Sequence, residues 1–101
     1  VMNGTIGFIT EVDAEGYGEA SERMMALAVL QPGYLGAESV RDPNGVGITV
    51  SYWRTEADIL GWKHQVEHAA TRARGRRDWY TRYITRVAKV ERAYDWFAST
   101  P

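Results

Sequence analysis

The chain has no cysteine. That excludes disulfides, thiolate zinc sites and a cysteine nucleophile, and it suits a cytoplasmic protein. Only two histidines are present, His64 and His68. No apolar run approaches the roughly 20 residues of a membrane span, and the first residues lack the basic-then-apolar pattern of a leader. No membrane association is expected. There is no excess of either charge: 12 basic and 13 acidic residues leave a formal net charge of −1, which argues against general nucleic-acid binding. The run Arg72, Arg74, Arg76 and Arg77 reads as a solvated helix end, where cations suit the helix dipole. P-loop and dinucleotide signatures are missing as well.

What remains is an ordinary globular composition, 45% hydrophobic and 25% charged over 101 residues. The expectation is one domain over residues 1–101. A domain of this size buries only about two thirds of the surface its unfolded chain exposes, so burial against a second copy would help it.

Residues 5–10 (TIGFIT) read as a strand rich in β-branched and aromatic residues. Residues 12–16 break it. Residues 17–30 carry Tyr17, Ala20, Met24, Leu27 and Leu30 at helical spacing, and Gln31-Pro32-Gly33 ends that helix. Residues 34–41 and 46–53 read as a hairpin across Asp42-Pro43-Asn44-Gly45. Thr55 caps a second helix whose apolar stripe is Ile59, Trp62, Val66, Ala69, Ala70 and Ala73. Gly75 weakens or kinks it, and residues 78–80 form a last turn. Residues 83–94 read as the fourth strand and 95–101 as a tail.

The order βαββαβ is the α+β, ferredoxin-like split pattern: a four-stranded antiparallel sheet with two helices on one face. The other face would carry members of Ile6, Phe8, Ile48, Val50, Tyr52, Val87 and Ala88. A second copy of the sheet is its simplest cover, which predicts a homodimer.

Several residues are candidates for chemistry. His64 and His68 stand one helical turn apart, a spacing that can bind a metal. A third ligand is not evident, although Glu67 is adjacent, and no metal site is expected. Trp53, Trp62, Trp79 and Trp96, with Tyr52, Tyr80 and Tyr83, read either as core and interface anchors or as the lining of a pocket for a flat aromatic ligand. Trp62 leads because it lies on the inward stripe. His68 has the pKa of a general base for a phenolic proton. The helical wheel turns it outward, unless a kink before Gly75 brings it in. On the last strand Arg86, Lys89 and Arg92 alternate with apolar residues. An inward Arg86 would hold an oxyanion; the commoner role is an ion pair at a dimer edge.

From Gln31 to Tyr94 the chain resembles the antibiotic biosynthesis monooxygenase family, which includes heme-degrading enzymes. The likeness rests on the ordered set QPGYLG at 31–36, GITVSYW at 47–53, WK at 62–63, EH at 67–68, WY at 79–80 and RVAKVERAY at 86–94. It implies a dimeric α+β barrel with a pocket in each subunit between sheet and helices. Cofactor-free members oxidise aromatic phenols with an Asn, a Trp, a Tyr and an Arg. Trp62 matches the Trp; Asp58 stands at the Asn position and His68 at the Tyr position, while Arg82 or Arg86 would fill the Arg role. Heme-degrading members use an Asn on the first strand, a Trp on the second helix and a later His. Asn3 and Trp62 match, but Arg72 occupies the His position.

The expected function is cofactor-independent monooxygenation of an electron-rich aromatic, a phenol or hydroquinone, with molecular oxygen. The expected catalytic residues are Trp62, His68 and Arg86, and the expected substrate-binding residues Asn3, Tyr52, Asp58, Trp79 and Tyr83. The alternatives are heme as cofactor and heme breakdown, or a non-catalytic small-molecule binder on the same fold.

Overall fold

The computed structural model describes residues 2–11 and 17–98; for Met2, residues 5–11, Tyr17, Val66 and Tyr80 it describes the backbone alone. The break expected over residues 12–16 lies outside the described residues. The elements follow in the order β1 (Met2–Glu11), α1 (Tyr17–Ala28), β2 (Tyr34–Arg41), β3 (Val46–Trp53), α2 (Glu56–His64), α3 (Val66–Arg74), a π-helical turn (Gly75–Trp79) and β4 (Tyr80–Val90). All four strands pair antiparallel in the order β2-β3-β1-β4. This is the expected ferredoxin-like sheet.

Local chemistry explains the boundaries. At the end of α1 the Gln31 side chain donates to the Leu27 carbonyl at 3.1 Å. Gly33 then turns the chain with φ of +79°, and a Cβ there would collide with the Asp58 side chain. The α1 helix therefore stops at Ala28, two residues short of the expected Leu30, and Leu30 is exposed. In the hairpin turn Asp42 Oδ1 accepts from the backbone N–H groups of Asn44 and Val46, both at 2.9 Å. Gly45 takes the positive φ that this turn needs.

The second helix departs from expectation. It is two helices, broken at Gln65, whose φ of −57° and ψ of 129° are extended rather than helical. Gln65 Oε1 accepts from the His68 backbone N–H at 2.7 Å and so caps α3. The Trp62 carbonyl, at the end of α2, accepts from the Gln65 N–H at 3.2 Å. The residues after α3 form a π-helical turn rather than a simple kink, and π turns recur at functional sites. The last strand runs from Tyr80 to Val90, three residues earlier at its start and four at its end than expected. No helix among the described residues is long and apolar enough to cross a membrane.

The two faces of the sheet differ in character. One face carries Ala37 and Ser39 of β2, Thr49 and Ser51 of β3, and Tyr83, Thr85 and Val87 of β4, all lining a cavity against the helices. Trp53 ends this row, completely buried, with its Nε1–H donated to Ser51 Oγ at 2.9 Å. The other face carries Val40, which is 70% exposed, and Ile48, which is 40% exposed and pairs with it. Val50, Tyr52, Arg86 and Ala88 have the same parity. Val87 was expected among that set; the register puts it on the cavity side instead.

Candidate functional site

The cavity between sheet and helices encloses about 450 Å³, within the usual range for a small-molecule site. The helix α1 contributes Ala20, Ser21, Met24, Met25 and Ala28; α2 contributes Ile59, Trp62 and Lys63; α3 contributes His68, Thr71 and Arg72. Arg76 and Trp79 of the π-helical turn complete that wall. A bidentate pair from Arg23 to Glu67, at 2.8 and 3.0 Å, ties α1 to α3. The hydrogen bond from Arg23 holds the Glu67 carboxyl below its ordinary pKa.

His68 sits at the centre of this arrangement. In one continuous helix six residues separate it from Trp62, roughly 120° around the axis at about 100° per residue. The break at Gln65 removes that offset. The imidazole stacks on the Trp62 indole with ring centroids 3.9 Å apart and planes 13° from parallel. Behind it Trp62 stacks on Trp53 at 6.0 Å, and Tyr34 meets Trp53 edge-on at 5.6 Å. The outward orientation read from the helical wheel is thus overturned: His68 is half-buried and lines the cavity.

The hydrogen bonding of the ring defines its tautomer. His68 Nδ1 lies 2.8 Å from the Trp62 carbonyl oxygen. A carbonyl oxygen only accepts, so Nδ1 carries the proton, and in the neutral ring Nε2 keeps the lone pair. Burial lowers the His68 pKa below its ordinary value; the bond to the Trp62 carbonyl raises it, and the nearby charge of Arg72 lowers it further. The net direction favours the neutral, basic form.

Three cations, Lys63, Arg72 and Arg76, line the cavity, and its described lining includes no Asp or Glu. Arg72 Nη2 donates to the Lys63 carbonyl at 2.9 Å, which aims the guanidinium. Its Nε is buried without a hydrogen-bond partner. Arg76 Nη1 approaches the Tyr83 hydroxyl at 3.4 Å. The Arg run was read as a solvated helix end. That holds for Arg77, which pairs with its neighbour Asp78 at the surface, and Arg76 is exposed although it lines the cavity; it does not hold for the half-buried Arg72. The signal was present in the spacing: residues 68, 72 and 76 fall at successive helical turns and share one face.

Of the expected site residues, the structure brings Trp62, His68, Trp79 and Tyr83 together around the cavity. Trp79 is buried, with the Arg74 guanidinium 4.6 Å from its ring centre. It does not bring in the others. Asp58 works at the start of α2, where the Thr55 hydroxyl donates to its carboxylate at 2.9 Å and its N–H donates back to Thr55 at 3.1 Å. Asn3 donates to the Arg54 carbonyl at 3.4 Å, away from the cavity lining. Tyr52 and Arg86 share the opposite sheet face, in the rows of Gly4 and Ile6 respectively. Period-2 alternation accounts for both, since their neighbours Ser51 and Val87 take the cavity side. Trp96, offered as an anchor or lining residue, is 83% exposed. His64 is exposed, and no group of three His, Asp or Glu side chains converges among the described residues.

The fold is similar to that of several solved structures at low sequence identity. SnoaB, a cofactor-independent oxygenase from Streptomyces nogalater, superposes with a TM-score of 0.77 at 12% identity, over 91% of this chain and 95% of its own. A candidate antibiotic biosynthesis monooxygenase from Nitrosomonas europaea gives 0.78 at 13% identity, over 89% and 90%. Rv0793 from Mycobacterium tuberculosis gives 0.79 at 14% identity, over 93% and 100%. The chain therefore has the antibiotic biosynthesis monooxygenase fold. No family model matches it. It belongs to one family with the uncharacterized protein YqjZ of Bacillus subtilis, to which it is 56% identical over 77 residues, 76% of this chain and 68% of that protein.

Proposed function

We propose that the chain is a cofactor-independent monooxygenase of electron-rich aromatics, a phenol or hydroquinone, with His68 as its general base. The observation that carries this reading is the inward His68, held as the Nδ1–H tautomer by the Trp62 carbonyl and stacked on the Trp62 ring. The comparison with SnoaB supports the reaction class only as a shared fold.

In this mechanism the substrate ring enters beside the His68 imidazole, over the hydroxyl-lined sheet. Nε2 of His68 takes the phenolic proton. The phenolate passes one electron to molecular oxygen, giving a phenoxyl radical and superoxide. These combine as a C–O bond at the ring carbon para to the phenolic oxygen. The O–O bond then breaks: one oxygen atom stays as the quinone carbonyl, and the other leaves as water with the ring hydrogen and the proton held by His68. The substrate loses four electrons and oxygen gains four, so the balance closes on phenol plus oxygen giving quinone plus water. The protein contributes the base and cations near the developing anion.

The working unit in this proposal is a homodimer, with the second copy covering the apolar sheet face around Val40 and Ile48. Oxygen uptake by the isolated protein with a panel of phenols and quinols tests the reaction. Uptake with stoichiometric quinone formation and no added cofactor is expected. Uptake that appears only after hemin is supplied, with a Soret band, would replace this reading by heme chemistry.

A further inference from the structure

The cavity wall is asymmetric in charge. Its sheet side is lined by neutral hydroxyls, with Ser39 and Thr49 hydrogen-bonded to each other at 2.8 Å and Ser51 accepting from Trp53. Its helical side holds Lys63, Arg72 and Arg76, and no carboxylate among the described lining residues balances them. Lys63 and Arg76 are exposed and Arg72 is half-buried, so this wall presents a positive field that attracts an anion from solvent. The guanidinium of Arg72 is fixed by the Lys63 carbonyl through Nη2, leaving a buried Nε–H with no acceptor. The rest of the Arg72 side chain lines the cavity, and the fork of a guanidinium matches a planar carboxylate in geometry and charge. His68 stands one helical turn before Arg72 on the same wall, so an anion at Arg72 lies beside the ring stacked on the Trp62–His68 pair.

We infer that the substrate of this cavity is an aromatic carboxylate, its ring against His68 and its carboxylate on the guanidinium groups of Arg72 and Arg76 that line the cavity. The inference rests on the cavity being the substrate site, and it narrows the substrate class from phenols to hydroxylated aromatic acids. Arg76 reaches the carboxylate by exchanging its long contact with the Tyr83 hydroxyl.

The test compares three ligands that share a ring and differ in charge: 1-hydroxy-2-naphthoate, its methyl ester and 1-naphthol. Calorimetric titration of the full chain should show the acid binding about 10–100-fold more tightly than the ester, the span of a charge-assisted hydrogen bond. That preference should shrink as salt rises. Arg72→Gln should bring the acid down to the affinity of the ester and leave the ester unchanged, with the thermal melt recording that the fold survives. If that variant does not fold, Arg76→Gln, whose side chain supports no backbone group among its recorded bonds, must produce the same selective loss. Equal binding of acid and ester, a preference that survives both substitutions, or no binding of the acid overturns the inference. Acid selectivity that depends on the arginines but comes without oxygen uptake keeps the inference and removes the oxygenase reading. Oxygen uptake that is equal for acid and ester does the reverse.

Discussion

The two faces of β3 invert the usual arrangement of an amphipathic strand. Toward the helices, where a core is expected, stand Thr49 and Ser51; away from them, where water is expected, stand Ile48 and Val50. A strand that packs one face on a core normally shows the opposite pattern. The difference teaches that neither face is an ordinary core or an ordinary surface. The inner face is the floor of a cavity, closed at one end by the buried Trp53. The outer face is an exposed apolar surface, the one that the proposed homodimer would cover without any new element.

The comparison breaks most visibly on the inner side. His68→Ala should lower turnover of a phenolic substrate by about 10²–10⁴, the usual contribution of a positioned acid–base group, while the circular dichroism spectrum stays that of the native fold. An undiminished rate would take the base out of the mechanism. Next in size is the closed end of the cavity. Trp53→Ala removes a fully buried ring and should cost ~3–5 kcal/mol, read from denaturant unfolding. Trp62→Ala should cost less, because that ring is only half-buried; a larger cost at Trp62 would mean that the cavity is closed in solution.

On the outer face, Ile48→Glu places a charge where the second copy is expected. Light scattering should fall from about twice the 11.4 kDa chain mass to a single chain, with the secondary structure retained. A wild-type protein that is already monomeric at micromolar concentration contradicts the dimer. The smallest effect expected is at Ser51, whose hydroxyl is the acceptor for the Trp53 indole. Ser51→Ala leaves a buried N–H unmatched and should cost ~1–3 kcal/mol. An unchanged unfolding midpoint would show that water reaches that end of the cavity.

Much of this architecture was legible in the sequence. The hairpin over residues 34–53 follows from its turn residues and period-2 strands, and both strand ranges agree with the structure. The α2 start at Thr55 and the stop at Gly33 follow from capping and backbone chemistry. The site was legible only in part, for two physical reasons. The break at Gln65 has no proline or glycine to announce it; it is held by a side-chain cap and by the His68–Trp62 bond, contacts that exist only in the folded chain. The chemistry of Arg86 and Tyr52 points to the pocket, whereas strand parity assigns them to the other face. Two of the three cations that reach the cavity, Arg72 and Arg76, belong to the arginine run, and their shared helical face is the signal that marks them.

The account turns on the state of one imidazole, and nitrogen-15 NMR of the ring reads it directly across a pH titration. The prediction is an Nδ1-protonated neutral tautomer for His68, with a midpoint below the ordinary imidazole value of about 6.5. The sign follows from burial. Below pH 6.5 the unfolded chain takes the proton first, so the native state loses stability as pH falls toward the lowered midpoint. The base stays active above that midpoint, and the rate should rise with pH through it. A His68 ring that titrates at or above 6.5, or that carries its neutral proton on Nε2, would contradict the account, because a base facing this cavity requires Nε2 to hold the lone pair.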